Sequence, residues 1–62
     1  MARDSARDRE IAGALIALAT VCRLEADLDA AVALYEDALA CAQRAHDRET
    51  IGLAKAGILR CG

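Results

Sequence analysis

The sequence has no proline, no tryptophan and no phenylalanine, and its only aromatic residue is Tyr35. Without proline, the chain lacks the residue that most strongly breaks helices. Few residues are β-branched and they do not alternate with polar ones, so strands are not expected. Because alanine, leucine, arginine and glutamate favour helices, the 62 residues predict an all-α protein of one small domain.

Metal-binding motifs are also missing from the sequence. The three cysteines, Cys22, Cys41 and Cys61, form no C-x-x-C pair, and the single histidine, His46, is isolated in a predicted turn. Cys22 and Cys41 are interpreted as small buried apolar residues, and Cys61 as an accessible thiol. The sequence therefore predicts no metal and no other cofactor.

No motif for catalysis or phosphate binding is present. Neither G-x-S-x-G nor G-x-x-x-x-G-K-[ST] occurs, so the chain is not expected to be an enzyme. The net charge of −2, with basic residues interleaved among acidic ones, argues against nucleic-acid binding. No apolar run reaches the roughly 20 residues that span a bilayer, and the start of the chain does not look like a signal peptide. The expectation is a cytoplasmic protein without a membrane partner.

The helical spacing of apolar residues predicts three helices, at about residues 5–24, 28–45 and 48–60. Asp27 and Asp47 stand where side chains commonly cap a helix, before the second and the third. The first connection is so short that the helices on either side of it must be antiparallel neighbours. The sequence thus predicts one domain, residues 1–62, in which a helical hairpin carries a third helix and the charged residues 1–10 fray.

Each predicted helix carries an apolar face that should pack against its neighbours. On the second helix, alanines on this face let another helix approach closely, while leucine and tyrosine fill the space beside them. The packing residues are predicted to be Leu15, Leu18, Ala19 and Cys22 on the first helix, Leu28, Ala31, Tyr35, Ala38 and Leu39 on the second, and Ile51, Ala54, Ile58 and Cys61 on the third. Leu53, Gly57 and Arg60 share a different face of the third helix.

The first two helices resemble one tetratricopeptide repeat, a unit of about 34 residues made of two antiparallel helices. Residues 12–45 cover this unit, and the positions that match it are Leu15, Leu18, Ala19, Ala31, Tyr35 and Ala38. The chain departs from the pattern at the turn, where Ala26 replaces glycine and Leu28 an aromatic residue, and it lacks the proline that often ends a repeat. Residues 48–60 look like the first helix of a following repeat. The resemblance implies one and a half repeats and a role in protein binding.

One and a half repeats are too few to enclose a core, because this architecture normally needs three or more. The mean hydropathy of +0.21 is high for so small a domain, so another protein chain is expected to cover part of its apolar surface. The cover could come from further repeats of a longer array or from self-association. The start at Met1 favours self-association.

The candidate partner-binding residues lie on the third helix and on the side of the first helix that, in the repeat family, faces a peptide-binding groove. They are Gly13, Ile16, Thr20, Arg23, Leu24, Ile51, Ile58 and Leu59. Family members that clamp a C-terminal carboxylate carry asparagine and basic residues where this chain has Ala17, Thr20 and Leu24, which argues against such a clamp. Alternatively, Ile16 and Leu24 pack under the third helix or against a second copy.

These observations predict a non-catalytic protein-interaction module that forms homo-oligomers through apolar helix faces. A second interpretation is a helical docking or regulatory segment that folds only on a larger protein partner. In both cases the partner is a protein, and no nucleic acid, membrane or cofactor is expected.

Overall fold

The computed structural model describes residues 5–61, and the side chains of residues 7–61. Three α-helices make up this part of the chain: α1 (Ser5–Leu24), α2 (Leu28–Ala45) and α3 (Arg48–Cys61). No strand occurs within these residues. The all-α class and the helix bounds are confirmed, with α3 one residue longer than predicted. Of the segment expected to fray, residues 5–10 are helical and the first four lie outside the described residues.

The turn between α1 and α2 is closed by two backbone hydrogen bonds. Ala26 N–H donates to the Arg23 carbonyl at 3.0 Å, and Asp27 N–H donates to the Cys22 carbonyl at 2.8 Å. This pair is the Schellman motif, which satisfies carbonyls at the end of a helix. The motif places Ala26 in the left-handed region, with φ of 66°, where glycine would avoid the Cβ penalty of roughly 1–2 kcal/mol.

The turn between α2 and α3 repeats this geometry. His46 N–H donates to the Gln43 carbonyl at 3.2 Å, and Asp47 N–H donates to the Ala42 carbonyl at 3.0 Å. His46 takes the left-handed conformation, with φ of 55°. Two turns of the same kind therefore reverse the chain twice, so that α1 and α3 both pack against α2.

Of the two predicted caps, only Asp47 is confirmed. Its Oδ2 accepts a hydrogen bond from Thr50 Oγ1 at 2.5 Å, and its Oδ1 accepts a long one from Thr50 N–H at 3.5 Å. The capping role predicted for the Asp27 side chain is wrong, because that side chain makes no cap hydrogen bond. With ψ of 72°, Asp27 departs from the extended conformation that usually directs a capping side chain toward the first turn.

Asp47→Asn is expected to lose less stability in acid than the wild-type protein does. The hydrogen bond from Thr50, opposed by partial burial and helped by nearby Arg9, lowers the pKa of Asp47 from its ordinary value of 3.8. Because the folded pKa is the lower one, the stabilisation is complete above pH 3.8 and is lost as the pH falls through the folded pKa. Thermal unfolding followed by circular dichroism should show the difference between the two proteins shrinking in acid.

The matched control for this prediction is Asp27→Asn, which removes a carboxylate at the other cap without removing a cap hydrogen bond. Its difference from wild type should change less with pH. The same pH dependence for both variants would contradict the capping role of Asp47.

The core consists mainly of alanine. Its buried apolar residues are Ala12, Ala19, Ala31, Tyr35, Ala38, Cys41, Ala42, Ala45 and Ala54. Alanine allows the helix axes to lie close together, but each methyl group removes little apolar area from water. Tyr35, which is 2% exposed, is therefore the one large side chain in this core.

Two clusters divide the core along the length of the helices. One contains Ala12, Cys41 and Ala42 and is partly covered by Leu15 and Ile51. The other, which we call the Tyr35 cluster, contains Ala19, Ala31 and Tyr35, and is partly covered by Ile16, Cys22, Leu34, Ile58 and Cys61. The predicted apolar face of α3 is confirmed, since Ala54 is buried and Ile51, Ile58 and Cys61 are half-buried.

Several residues that were predicted to pack in the core are more exposed than expected. Leu18 is 55% exposed and Leu28 is 42% exposed, because in the described residues no helix covers their side of the hairpin. Cys22 is half-buried rather than buried, whereas Cys41 is buried as predicted. Cys61, predicted to be an accessible thiol, is half-buried, because the last turn of α3 packs it against the Tyr35 cluster.

Candidate functional site

A groove lies between α1 and α3, with α2 beneath it. We call it the α1–α3 groove, and it is lined by Ile16, Thr20, Arg23, Tyr35, Leu53, Ala56, Gly57 and Arg60. The groove forms because α1 and α3 each pack on α2 but contact one another much less. Its volume is 180 Å³, comparable with the roughly 150 Å³ cavity that binds benzene in an engineered protein. This space suits one side chain and is too small for a helix.

A chain of hydrogen bonds fixes the floor of the groove. Thr20 Oγ1 donates to the Ile16 carbonyl at 2.9 Å, and the same oxygen lies 3.2 Å from Tyr35 Oη. Since Thr20 has only one hydroxyl proton, Tyr35 must be the donor in the second bond. Both hydroxyl protons are thus used internally, and the two oxygens offer only lone pairs to a ligand.

Gly57 makes room for the Tyr35 ring under α3. A Cβ atom added at Gly57 would overlap the ring atoms of Tyr35, so no other residue type fits this position without a shift. The missing side chain of one residue therefore allows the large side chain of the other to be buried. Glycine at this place determines how closely α3 approaches α2.

Two arginines give the groove a positive charge. Among its eight lining residues are Arg23, Arg60 and no acidic residue, although the whole chain has a net charge of −2. Arg23 Nε is buried and has no hydrogen-bond partner within the described residues. Two ion pairs elsewhere in the described residues join Arg9 to Asp47 at 3.6 Å and Arg44 to Asp8 at 4.0 Å.

The structure brings together only some of the predicted partner-binding residues. Ile16, Thr20 and Arg23 share the groove, while Gly13 lies exposed on α1 and Leu24, at the end of that helix, is 76% exposed. The alternative, that Ile16 packs within the chain, is confirmed, since Ile16 covers the Tyr35 cluster. Leu24 does not pack under α3, and its packing against a second copy stays a prediction.

The predicted residues of α3 fall on separate faces. Ile51 and Ile58 pack against the two core clusters, and Leu59 is 79% exposed. The groove residues of α3 that were not predicted are Leu53, Ala56, Gly57 and Arg60. The helical spacing places Leu53, Gly57 and Arg60 on one face of this helix. That shared face is the sequence signal from which they could have been identified.

A second surface runs along the opposite side of α1. We call it the α1 apolar face, and it consists of Ile11, Ala14, Leu18 and Val21. All four are exposed, and at about 100° per residue their stripe lies roughly opposite Thr20 on the helix. Ile11, Leu18 and Val21 are 43%, 55% and 51% exposed. The side chains that this face exposes to water are therefore larger than most of those buried in the core.

No family model, curated protein or solved structure matches this chain. Within residues 5–61, no three His, Cys, Asp or Glu side chains are grouped so that they could hold a metal ion. None of the three helices, as described, is long and apolar enough to cross a bilayer. The likeness to the tetratricopeptide repeat stays a prediction.

Proposed function

We propose that this protein is a non-catalytic protein-interaction module that associates with itself through the α1 apolar face. One observation carries the proposal: the buried residues are mostly alanine, while Ile11, Leu18 and Val21 remain about half exposed on one helix face. Contiguous exposed apolar side chains are typical of protein-interaction surfaces. A second copy of the same face would remove them from water in a two-fold pair.

The apolar area on this face is enough for weak, reversible self-association. Full burial of such a side chain contributes about 1.5–3 kcal/mol. Six half-exposed side chains in a pair would thus contribute about 5–9 kcal/mol, which exceeds the cost of association, roughly 4–15 kcal/mol, only near the low end of that range. We therefore expect a concentration-dependent equilibrium rather than a permanent complex.

The architecture supports a module of the tetratricopeptide type. The hairpin of α1 and α2 buries Ala31, Tyr35 and Ala38, the three residues matched to the second helix of the repeat. A further helix packs on this hairpin, as the first helix of a next repeat would. This part of the proposal, like the cytoplasmic location, depends on the sequence pattern.

Leu18→Glu is expected to weaken self-association about tenfold or more, because it places a charge at the centre of the α1 apolar face. Leu53→Glu is the matched control, since Leu53 is a leucine of similar exposure, 59% exposed, on a different helix. Sedimentation velocity over a dilution series measures both, and circular dichroism checks that both variants are folded. Equal dissociation constants for the two variants would contradict the proposed interface.

A docking segment that folds on a larger protein is the second candidate. It is favoured because a core made mainly of alanine buries little apolar area. Circular dichroism of the isolated chain separates the two candidates. A largely unfolded chain at all concentrations would favour the docking segment, whereas helicity that rises with concentration would favour self-association.

A further inference from the structure

We propose that the α1 helices of two copies of this chain pair antiparallel, with Arg7 of each copy opposite Glu25 of the other. The inference rests on the proposed self-association and adds the orientation and register of the two copies. It depends on where these charged residues lie on α1, on their signs, and on the sizes of the apolar side chains between them.

Arg7 and Glu25 lie at the two ends of the α1 apolar face. Arg7 precedes the first residue of this face by four positions, and Glu25 follows the last residue by four. Glu25 continues the helix, because its N–H donates to the Val21 carbonyl at 3.0 Å. Both charged side chains are exposed, and they share one side of the helix because about five full turns separate them. The face thus has a positive end and a negative end, about 27 Å apart.

The sign of each of these charges is unfavourable within α1 itself. A helix dipole stabilises acidic side chains near the first turn and basic ones near the last, as Asp8 and Arg23 illustrate. Arg7, the third residue of α1, and Glu25, which directly follows the helix, have the opposite signs. Residues that break a local rule are expected at functional sites. A contact that places an opposite charge beside each of them would offset the unfavourable dipole interaction.

Of the two ways to pair these helices, only the antiparallel one brings opposite charges together. Arg7 of each copy then lies opposite Glu25 of the other, once at either end of the interface. A parallel pair would place each charge opposite its own copy, and like charges across an interface repel. Since a guanidinium has five N–H donors, the pairing does not require Arg7 to give up contacts within its own chain.

The apolar side chains fit the same register. When the charges are paired, Ala14 lies opposite Leu18 of the second copy, and Ile11 lies opposite Val21. A small residue opposite a large one fills an interface evenly, whereas a parallel pair would place alanine against alanine and leucine against leucine. The alternation of three-residue and four-residue steps along this face is also the spacing by which two helices pack at about 20°.

The other two helices lie on other sides of α1. Ala12 and Ala19 mark the side that packs on α2, since each belongs to a core cluster with α2 residues. At about 100° per residue, this side lies roughly 130° from the centre of the α1 apolar face, and the groove residues of α1 are roughly opposite that centre. Neither α2 nor α3 therefore covers the direction from which the second copy would approach.

Charge reversal tests the pairing. Arg7→Glu and Glu25→Arg should each weaken self-association about tenfold, because either change makes both ion pairs of the dimer repulsive. The double variant, Arg7→Glu with Glu25→Arg, should recover the affinity of the wild-type protein. Because the two residues of one chain are about 27 Å apart, this recovery would come from contacts between copies. Sedimentation velocity over a dilution series measures all the dissociation constants.

Lys55→Glu and Glu36→Arg are the matched controls, because they make the same changes in net charge at exposed positions of α3 and α2. Both should associate as the wild-type protein does. The reversals on α1 also agree with its dipole, since they place an acid near the start of the helix and a base near its end. They should therefore not unfold the chain, which circular dichroism checks.

Three results would overturn the inference. The first is wild-type affinity in both single variants, which is expected of a parallel pair. The second is weakening in the single variants without recovery in the double variant, and the third is an equal effect in the controls. If Leu18→Glu weakens association and the charge reversals do not, the proposed interface stands and only the antiparallel register is wrong. A wild-type protein that stays monomeric at every concentration would contradict both proposals.

Discussion

Replacing Tyr35 with alanine is expected to unfold the isolated chain. Tyr35 is 2% exposed and is the only large side chain among the buried apolar residues. Truncating a buried aromatic residue to alanine typically costs about 3–5 kcal/mol. A core this small rarely supplies more than about 3–5 kcal/mol of stability. The expected loss is therefore as large as the total free energy of unfolding. Far-ultraviolet circular dichroism should show loss of helicity at a concentration where the wild-type protein is folded.

The control for this variant is Tyr35→Phe, which keeps the ring and removes only the hydroxyl. It loses the hydrogen bond to Thr20, measured at 3.2 Å, and should cost about 1 kcal/mol. The protein should remain folded with a lower midpoint of thermal unfolding. If Tyr35→Ala unfolded as cooperatively as Tyr35→Phe and at a similar temperature, the Tyr35 cluster would not be the centre of the core.

Gly57→Ala is expected to destabilise the protein although alanine is the better helix former. Helix propensity alone would favour alanine by about 1 kcal/mol. The added methyl group, however, would overlap the Tyr35 ring, and overpacking of this kind typically costs about 1–3 kcal/mol. The ring is enclosed by the core, so the clash should outweigh the propensity. The free energy of unfolding in urea measures the result.

The other two helical glycines provide matched controls. Among the described residues, a Cβ atom added at Gly13 or Gly52 would meet no atom within 4 Å beyond the adjacent backbone of its own helix, so only the backbone effect remains. Gly13→Ala and Gly52→Ala should each stabilise the protein by about 0.5–1 kcal/mol. A similar gain in Gly57→Ala would mean that α3 does not pack as closely on Tyr35 as described.

The helices could be predicted because the signals for them are local. Apolar residues at steps of three and four define α1, α2 and α3, and Asp27 and Asp47 mark where two of them follow a turn. The close-packing face of α2 was also predictable, since Ala31, Tyr35 and Ala38 combine small and large residues at helical spacing. These features depend on residues within a few positions of one another.

The sequence pattern could not predict which helix faces are covered by a neighbouring helix, or which residues of different helices come together. Periodicity indicates the direction of a face but not how many neighbours cover it, so Leu18 and Leu28 were expected to be buried and are exposed. Arg23 and Arg60 line the same groove from two different helices, and this arrangement depends on how α1 and α3 each pack against α2. The missing cap at Asp27 depends on a backbone angle that residue type alone does not determine.

The mass of the wild-type protein in solution tests the central claim most directly. Light scattering over a concentration series should give a mass that rises above the chain mass of 6.5 kDa and approaches at least twice this value at the highest concentrations. This result would mean that the apolar side chains left exposed on α1 are covered by a second copy. A mass of 6.5 kDa at every concentration, together with cooperative unfolding of the monomer, would contradict it.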